Sequence, residues 1–326
     1  MTQKTAIGFA LLLLCSLAVI IPALCGGSSW YSPAELFSPD MEVIAALRLR
    51  RIITAFLVGS ALAAGGTACQ AVLHNDLADP YILGISGGAS LGAALAILSG
   101  AAAVSIWALP GGAFLGALAA LALVLIPAAA SGGDTGSRVL LSGVILGAVC
   151  SSLLMVLISV MGNTRLNSIV WWLLGDLSGR EDPLLIPAAI LVFAGLAVLM
   201  LLARETNALS LGANFAHGFG VSPRKTAVIL LGTSALLAAA AVSLAGIIGF
   251  AGLIVPHMAR RIVGAEHRKL YPAAFWGGGI FLVFCDLIGR SVFQAQELPA
   301  GVITSLLGGP FFLYLLYRKR PAGGDA

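Results

Sequence analysis

The sequence predicts an all-α polytopic membrane protein with about ten transmembrane helices. Of its 326 residues, 59% are hydrophobic and only 10% are charged, whereas about a quarter of the residues in a soluble domain carry charge. The mean hydropathy is +1.02, and a soluble core of this size could not hide so much apolar surface. We therefore expect lipid to be the solvent for most of the chain. The long unbroken apolar runs exclude the short alternating segments of a transmembrane β-barrel.

Successive apolar runs of spanning length predict the transmembrane helices in chain order. The first run follows Lys4 and could also belong to a signal peptide or a lipoprotein signal. The bulky Leu24 before Cys25 is unsuited to signal cleavage, so we expect a first membrane helix instead. The third and eighth runs are short and interrupted by Gly or Pro. The predicted spans are 6–24, 52–73, 82–98, 109–130, 139–161, 184–203, 226–248, 250–263, 271–289 and 300–317.

Glycine is unusually abundant, with 40 residues. Helices in lipid gain no hydrophobic drive from association, so small residues that let backbones approach closely supply the packing. The composition therefore predicts a tightly packed helical bundle. The five cysteines form no CxxC pair and have no histidine at ligand spacing. We expect them to be packing residues, and we assign the chain no metal, no cofactor and no disulfide.

The breaks between the predicted spans are too short to hold a soluble domain. The longest are 25–51, 162–183 and 204–225, each of about 20–27 residues. We therefore predict a single transmembrane domain over 1–326.

The distribution of Lys and Arg predicts that both termini lie in the cytoplasm. In that orientation twelve of the 18 basic residues are inside and six are outside, which agrees with the positive-inside rule. Three of the six outer residues lie within the run 48–51. This run is an excess of positive charge on the side of the membrane where positive charge is disfavoured. The predicted outer residues are Arg48, Arg50, Arg51, Arg165, Arg180 and Arg290.

Motifs for chemistry are scarce. The phosphate-binding loop motif GxxxxGK[ST] is absent, because none of the four lysines follows a glycine. If ATP drives this protein, another chain therefore binds the ATP. Residues 84–88 (GISGG) spell the nucleophile motif GxSxG around Ser86, with His74 and His257 as conceivable bases. An intramembrane serine hydrolase is therefore one alternative. Close packing of helix ends through Gly and Ser is the better interpretation of this pentapeptide.

Ionisable residues inside the predicted spans are also few. Asp286 and Arg290 lie four residues apart on one helix face and could pair, but they lie near the outer end of their span. An ion-coupled secondary transporter needs carboxylates or broken helices at a central site. The scarcity of such groups disfavours that class, which stays the second alternative.

The break at 204–225 is too apolar for an idle cytoplasmic linker. Glycines divide it into what we expect to be short helical pieces that turn at these glycines. Exposed apolar residues usually indicate a protein partner, although the segment could instead fold back onto its own bundle. The residues concerned are Leu209, Leu211, Gly212, Phe215, Gly218 and Phe219.

Four sequence blocks resemble one family over nearly the whole chain. They are residues 48–93, 207–221, 246–270 and 285–316, and they include the long ordered patterns GFxGLxxPHxxR and ELPxGxxTxxxGxPxFxxLL. In these blocks the chain is similar to the membrane permease subunits of ABC importers for iron chelates, haem and vitamin B12, the FecCD transport family.

The resemblance implies the type II ABC importer permease fold in a bacterial inner membrane. It further implies a homodimer embedded in lipid, with the solute pathway along the twofold axis, two ATP-binding subunits below and a periplasmic solute-binding protein above. The implied cargo is a large chelate such as an iron-siderophore, haem or cobalamin. It implies no catalytic residue in this chain and no nucleic acid partner.

The resemblance also implies roles for particular residues. Arg48, Arg51 and Arg290 match the arginines that dock the binding protein, and 207–221 matches the helices that couple to the ATP-binding subunits. The chain departs from the family pattern in having Arg50 in place of a proline, and Ala213 where an acidic residue is common.

The inner gates of the family correspond to two short stretches of this chain. They fall on Asn75 and Leu77 and on Gly136 and Ser137. Asp76 stands where the family has a second proline, so a carboxylate lies beside the first gate.

Overall fold

The computed structural model describes residues 3–27, 29–36, 38–130, 135–178, 182–292 and 297–318. Within these ranges every regular element is a helix, and we number the α-helices in chain order. Ten of those described have 13 residues or more: α1 (Gln3–Cys25), α3 (Glu42–Leu73), α4 (Ile85–Leu98), α6 (Ala108–Ala130), α7 (Thr135–Val160), α9 (Asp182–Leu201), α12 (Pro223–Ala245), α13 (Ala251–Val263), α14 (His267–Ser291) and α15 (Ala300–Arg318). The shorter ones are α2 (Pro33–Leu36), α5 (Ala101–Val104), α8 (Asn163–Leu173), α10 (Ala203–Ser210) and α11 (Ala213–Gly218).

The ten longer helices correspond one to one with the ten predicted spans, which confirms the all-α polytopic fold class. Six of them are long and apolar enough to cross a membrane: α3, α6, α7, α9, α12 and α14. The third and eighth spans, α4 and α13, have only 14 and 13 residues, as their glycines and prolines predict.

The centre of the bundle is α3, packed against α12, α13 and α14. It has 32 residues, so it is about 48 Å long. In its most apolar stretch 89% of the residues are buried. Small side chains such as Ala61, Ala64 and Ala68 form this stretch, which is why neighbouring backbones approach α3 on several sides.

Glycine contacts set the closest helix approaches. A Cβ atom added at Gly59 of α3 would overlap the backbone carbonyl of Gly278 in α14, and one at Gly92 of α4 would overlap that of Gly112 in α6. The glycine at position 88 likewise faces α6 at Gly116. The GxSxG string therefore lies where α4 packs closely on α6, in agreement with the packing interpretation of that motif.

Gly59→Ala should destabilise the bundle, because its methyl group forces α3 and α14 apart. Overpacking of this kind typically costs about 1–3 kcal/mol. The matched control is Gly111→Ala in α6, where nothing lies within 4 Å of the added Cβ. Thermal unfolding in detergent should show a lower midpoint for Gly59→Ala only; equal midpoints would contradict the packing described.

The first helix is an integral part of the bundle. It packs against α13 and α14, and the Trp276 Nε1–H of α14 donates a 2.7 Å hydrogen bond to Ser16 Oγ. Buried Ala23 near its end belongs to the main apolar core.

Sequence patterns located the helix starts and the connecting segments less well. Helix α3 begins at Glu42, ten residues before the predicted span at 52, because the charged run 48–51 interrupts the apolar pattern. The break at 162–183 contains α8, and the break at 204–225 contains most of α10 and all of α11. Arg180 lies outside the described residues.

Candidate functional site

The predicted site residues form two groups at opposite ends of α3. Arg48 and Arg51 lie near its start, and Asn75 and Leu77 follow its last residue, Leu73. We call these the arginine end and the gate-loop end of the bundle. We use the name gate loop for residues 74–79, which contain two predicted gate residues, and the name coupling segment for residues 204–225, which contain the predicted coupling residues.

At the arginine end, Arg290 is the best shielded of the predicted docking residues. It is 3% exposed and its Nε lies 2.9 Å from Asp286 Oδ2, one helical turn earlier in α14. The expected pairing of these two residues is thus confirmed. Because Asp286 is 1% exposed, the pair is a buried one, and the charge of Arg290 depends on Asp286 for compensation.

Arg51 joins α3 to this pair. Its Nε donates to Asp286 Oδ1 over 2.8 Å, and its Nη1 donates to Glu297 Oε2 over 2.5 Å. The Arg51 side chain is only 14% exposed, whereas that of Glu297 is 45% exposed. Asp286 is therefore shared by two arginines, and Glu297 occupies the more accessible side of Arg51.

Two arginines also satisfy the carbonyl groups at the end of α1. Arg48 donates to the Leu24 and Cys25 oxygens at 2.8 and 2.7 Å, and Arg290 donates to the Ala23 and Gly26 oxygens, both at 3.1 Å. The last carbonyls of a helix have no partner within the helix, and cationic donors stabilise them. Part of the arginine excess at this end therefore stabilises the fold.

An open pocket of about 360 Å³ lies at the arginine end. Arg48 and Arg51 line it together with Glu297 and Tyr31, and the Tyr31 ring lies 5.0 Å from the Arg48 guanidinium carbon. Arg50 lines it too and pairs over 2.7 Å with Asp182 at the start of α9. Sequence reasoning did not identify Glu297 as part of this group, although it opens the ELPxG motif.

At the gate-loop end, the chain leaves α3 through a tight turn. His74 adopts a left-handed conformation with φ 48°. Asn75 then organises the turn, because its Oδ1 accepts from the Leu77 N–H at 2.9 Å and its carbonyl accepts from the Ala78 N–H at 3.0 Å.

The gate loop borders an open cavity of about 320 Å³. Leu77 is 42% exposed there. The other predicted gate residues, Gly136 and Ser137, begin α7 and are not among the residues that line this cavity. The lining residues are His74, Asn75, Asp76, Leu77, His257, Phe312 and Leu315.

The coupling segment is fixed to the bundle through α10. Asn207 Oδ1 accepts hydrogen bonds from the backbone N–H and from Nδ1 of His267, at 3.0 and 2.7 Å. Leu209 is 4% exposed and packs into the main core. The expectation that Leu209 is exposed for a partner is therefore wrong, since α10 turns this side chain towards its own bundle.

Beyond α10, the coupling segment has an exposed apolar surface. Leu211 is 65% exposed, Phe215 64% and Phe219 71%. The expected turn at Gly212 is present, with φ 115°, but the second turn lies at Gly220, with φ 75°. Gly218 is the last residue of α11 and has no positive φ, so the expected turn at Gly218 is wrong.

Comparison with known proteins gives consistent results. The chain is 39% identical to the hemin transport system permease protein HmuU of Yersinia pestis over 84% of this chain and 83% of that protein. It is 35% identical to the vitamin B12 import system permease protein BtuC of Escherichia coli over 93% of both chains. A solved structure described as an inward-facing metal-chelate type ABC transporter superposes with a TM-score of 0.87, at 30% identity over 96% of this chain and 99% of that one.

The fold and these similarities define a class, the membrane permease subunits of ABC importers, which are transport components rather than enzymes. Residues 11–318 match the FecCD transport family, and the chain belongs to that family.

Proposed function

We propose that this chain forms, as a homodimer, the transmembrane pathway of a binding-protein-dependent ABC importer for a large chelate. Haem, cobalamin and iron-siderophores are the cargo class, because relatives of 35–39% identity are hemin and vitamin B12 permeases. ATP hydrolysis on two partner subunits drives import. The full sequence of this chain lacks the phosphate-binding loop motif, so the proposal assigns ATP binding to the partner subunits.

The exposed apolar surface of the coupling segment is the observation that carries this proposal. Leu211, Phe215 and Phe219 lie in the chain segment between the spans α9 and α12, outside both of them, and exposed apolar patches of this kind indicate a protein partner. An ATP-binding subunit is the partner that an ABC permease requires at its cytoplasmic end.

Charge distribution supports the orientation. Of the fifteen Lys and Arg in the described ranges, ten lie at the gate-loop end and five at the arginine end. Positive residues favour the cytoplasmic side, so both the gate loop and the coupling segment face the cytoplasm, and both termini lie there too. The arginine end then faces the periplasm and the binding protein.

Exposure of α7 supports the homodimer. Only 17% of the residues in its most apolar stretch are buried within the chain, against 72% for α12. Large side chains such as Leu141, Ile145 and Val149 are exposed along it. A second copy covers part of this face, and Gly136 and Ser137 at its start then take part in the gate beside Asn75 and Leu77.

Reconstitution tests the function directly. The permease, its ATP-binding subunit and its binding protein, placed in liposomes, should take up haemin or cyanocobalamin only when ATP is inside the compartment that holds the ATP-binding subunit. Two results would overturn the proposal: uptake by the permease alone, and uptake driven by an imposed ion gradient without ATP. The second result would favour the ion-coupled carrier.

The proposed docking surface lies at the arginine end. Arg48 and Arg51 contact carboxylates of the binding protein, while buried Arg290 holds Asp286 and Arg51 in place beneath them. In the free permease, Glu297 forms an ion pair with Arg51. A docking carboxylate of the binding protein therefore competes with Glu297 for Arg51.

Glu297→Gln should therefore strengthen binding-protein docking by about two- to five-fold, since a pair with one exposed partner contributes up to about 1 kcal/mol. Arg48→Gln should weaken docking, and more at low salt than at high salt, because partly exposed charges are screened. Arg51 is left unchanged, since a substitution there would disturb buried Asp286. Arg165→Gln, in α8, is the matched control. Surface plasmon resonance at two salt concentrations measures these effects; docking unchanged in both variants would leave the arginines with a structural role only.

A further inference from the structure

Two side chains fasten the gate loop to neighbouring helices, one at each side of Asn75. On the first side, His74 Nε2 lies 2.9 Å from the Leu209 carbonyl oxygen in the coupling segment. A carbonyl only accepts, so Nε2–H is the donor. Leu209 is a buried residue of α10, and it lies two positions before the exposed surface that begins at Leu211.

On the other side, Asp76 joins the gate loop to α13. Its Oδ1 lies 2.7 Å from Arg260 Nη1. Arg260 also donates to Gln70 Oε1 at 3.3 Å, and Gln70 Nε2 donates to the Gly252 carbonyl at 3.2 Å. Asp76 is thus connected through Arg260 to the last turn of α13 and to the buried part of α3.

The backbone conformation of His74 indicates that contacts with neighbouring residues hold this residue in place. Only His74 and Phe250, among non-glycine residues in the described part of the chain, have a positive φ. A residue with a side chain takes this conformation when surrounding contacts hold it there. The contact of His74 with Leu209 is one such constraint.

We propose that His74 and Asp76 are positioning residues that make the gate loop follow the coupling segment. His74 transmits a displacement of α10 to the loop, and the pair of Asp76 with Arg260 holds the loop against α13 until that displacement occurs. The proposal rests on the proposed gate and coupling functions. It goes beyond them by naming the two contacts that connect these elements.

The variants separate the two contacts. His74→Asn keeps a residue that tolerates the left-handed conformation, but its shorter side chain does not reach Leu209. Asp76→Asn removes the charge from the second contact, Asp76→Glu keeps it, and Asp76→Arg combined with Arg260→Asp reverses it. The reporter is Leu77→Cys in a Cys15→Ser background, labelled in the full liposome complex by a membrane-impermeant maleimide.

Asp76→Asn should raise the labelling rate of Leu77→Cys without nucleotide by about two- to five-fold, the effect of losing one partly exposed ion pair. Asp76→Glu and the charge reversal should label at the rate of the unmodified loop. His74→Asn should keep that rate without nucleotide, but it should lose the rate change that trapping with ADP and vanadate produces.

The outcomes are distinguishable from failure of the proposed function. If the reporter with intact His74 and Asp76 does not respond to trapping, and the complex shows no ATP-dependent uptake of haemin or cyanocobalamin, the proposed function is wrong. If that reporter responds and both His74→Asn and Asp76→Asn behave in the same way as it does, only the present inference is wrong. Asp76→Glu that labels as fast as Asp76→Asn would also overturn it, because the carboxylate would then be irrelevant.

Discussion

Arg290→Met should unfold or severely destabilise the permease rather than simply weaken docking. The substitution leaves Asp286 buried with one of its two arginines, and it removes the donors to the Ala23 and Gly26 carbonyls. Breaking a buried ion pair by removing one partner costs about 3–5 kcal/mol, a large share of the total stability of a protein. The yield of monodisperse protein and the unfolding midpoint in detergent measure the loss.

Two further variants make this prediction specific. Arg50→Ala removes an ion pair whose side chains are 41% and 60% exposed, so it should cost at most about 1 kcal/mol. Adding Asp286→Leu to Arg290→Met should recover part of the stability, because no carboxylate then stays buried with only one of its two arginines, and Arg51 keeps Glu297 as its partner. Arg290→Met that folds normally but fails to dock would show that Arg290 acts at the surface.

Hydropathy alone predicted all ten longer helices, including α4 and α13, which are shorter than a full membrane span. It did not predict the start of α3. Arg48 and Arg51 interrupt the apolar run, yet they remain helical because Asp286, Glu297 and the carbonyls of α1 compensate their charges. Those partners come from distant parts of the chain, and their positions follow only from tertiary packing.

The same limit explains the residues that the sequence placed wrongly. Leu209 and Phe215 are both apolar residues in one short segment, and nothing in the pattern distinguishes the buried one from the exposed one. Burial depends on the direction in which α10 packs, which Asn207 sets through its hydrogen bonds to His267. Likewise, the sequence pattern does not distinguish Gly218 from Gly220. Because α11 extends to Gly218, the turn with positive φ forms at Gly220.

The exposed apolar residues of the coupling segment should dominate binding of the ATP-binding subunit. Leu211→Ser, Phe215→Ser and Phe219→Ser together should abolish binding of the ATP-binding subunit while the permease still folds. These side chains are 64–71% exposed in the isolated chain, so their loss removes little internal packing. Burial of a large apolar side chain contributes about 1.5–3 kcal/mol. Losing three such contacts should weaken association at least roughly a thousandfold, and ATP-driven uptake should disappear.

Thiol labelling shows whether the partner covers this surface. Ala213 is exposed, whereas Ala216 is fully buried, so Ala213→Cys is the suitable reporter. Its reaction with an aqueous maleimide should be fast in the free permease, and it should be strongly slowed when the ATP-binding subunit is bound. In the triple serine variant the protection should be lost. If Ala213→Cys is labelled equally fast with and without the bound subunit, the partner does not cover this surface, and the exposed aromatic residues must contact lipid or a second copy of the chain.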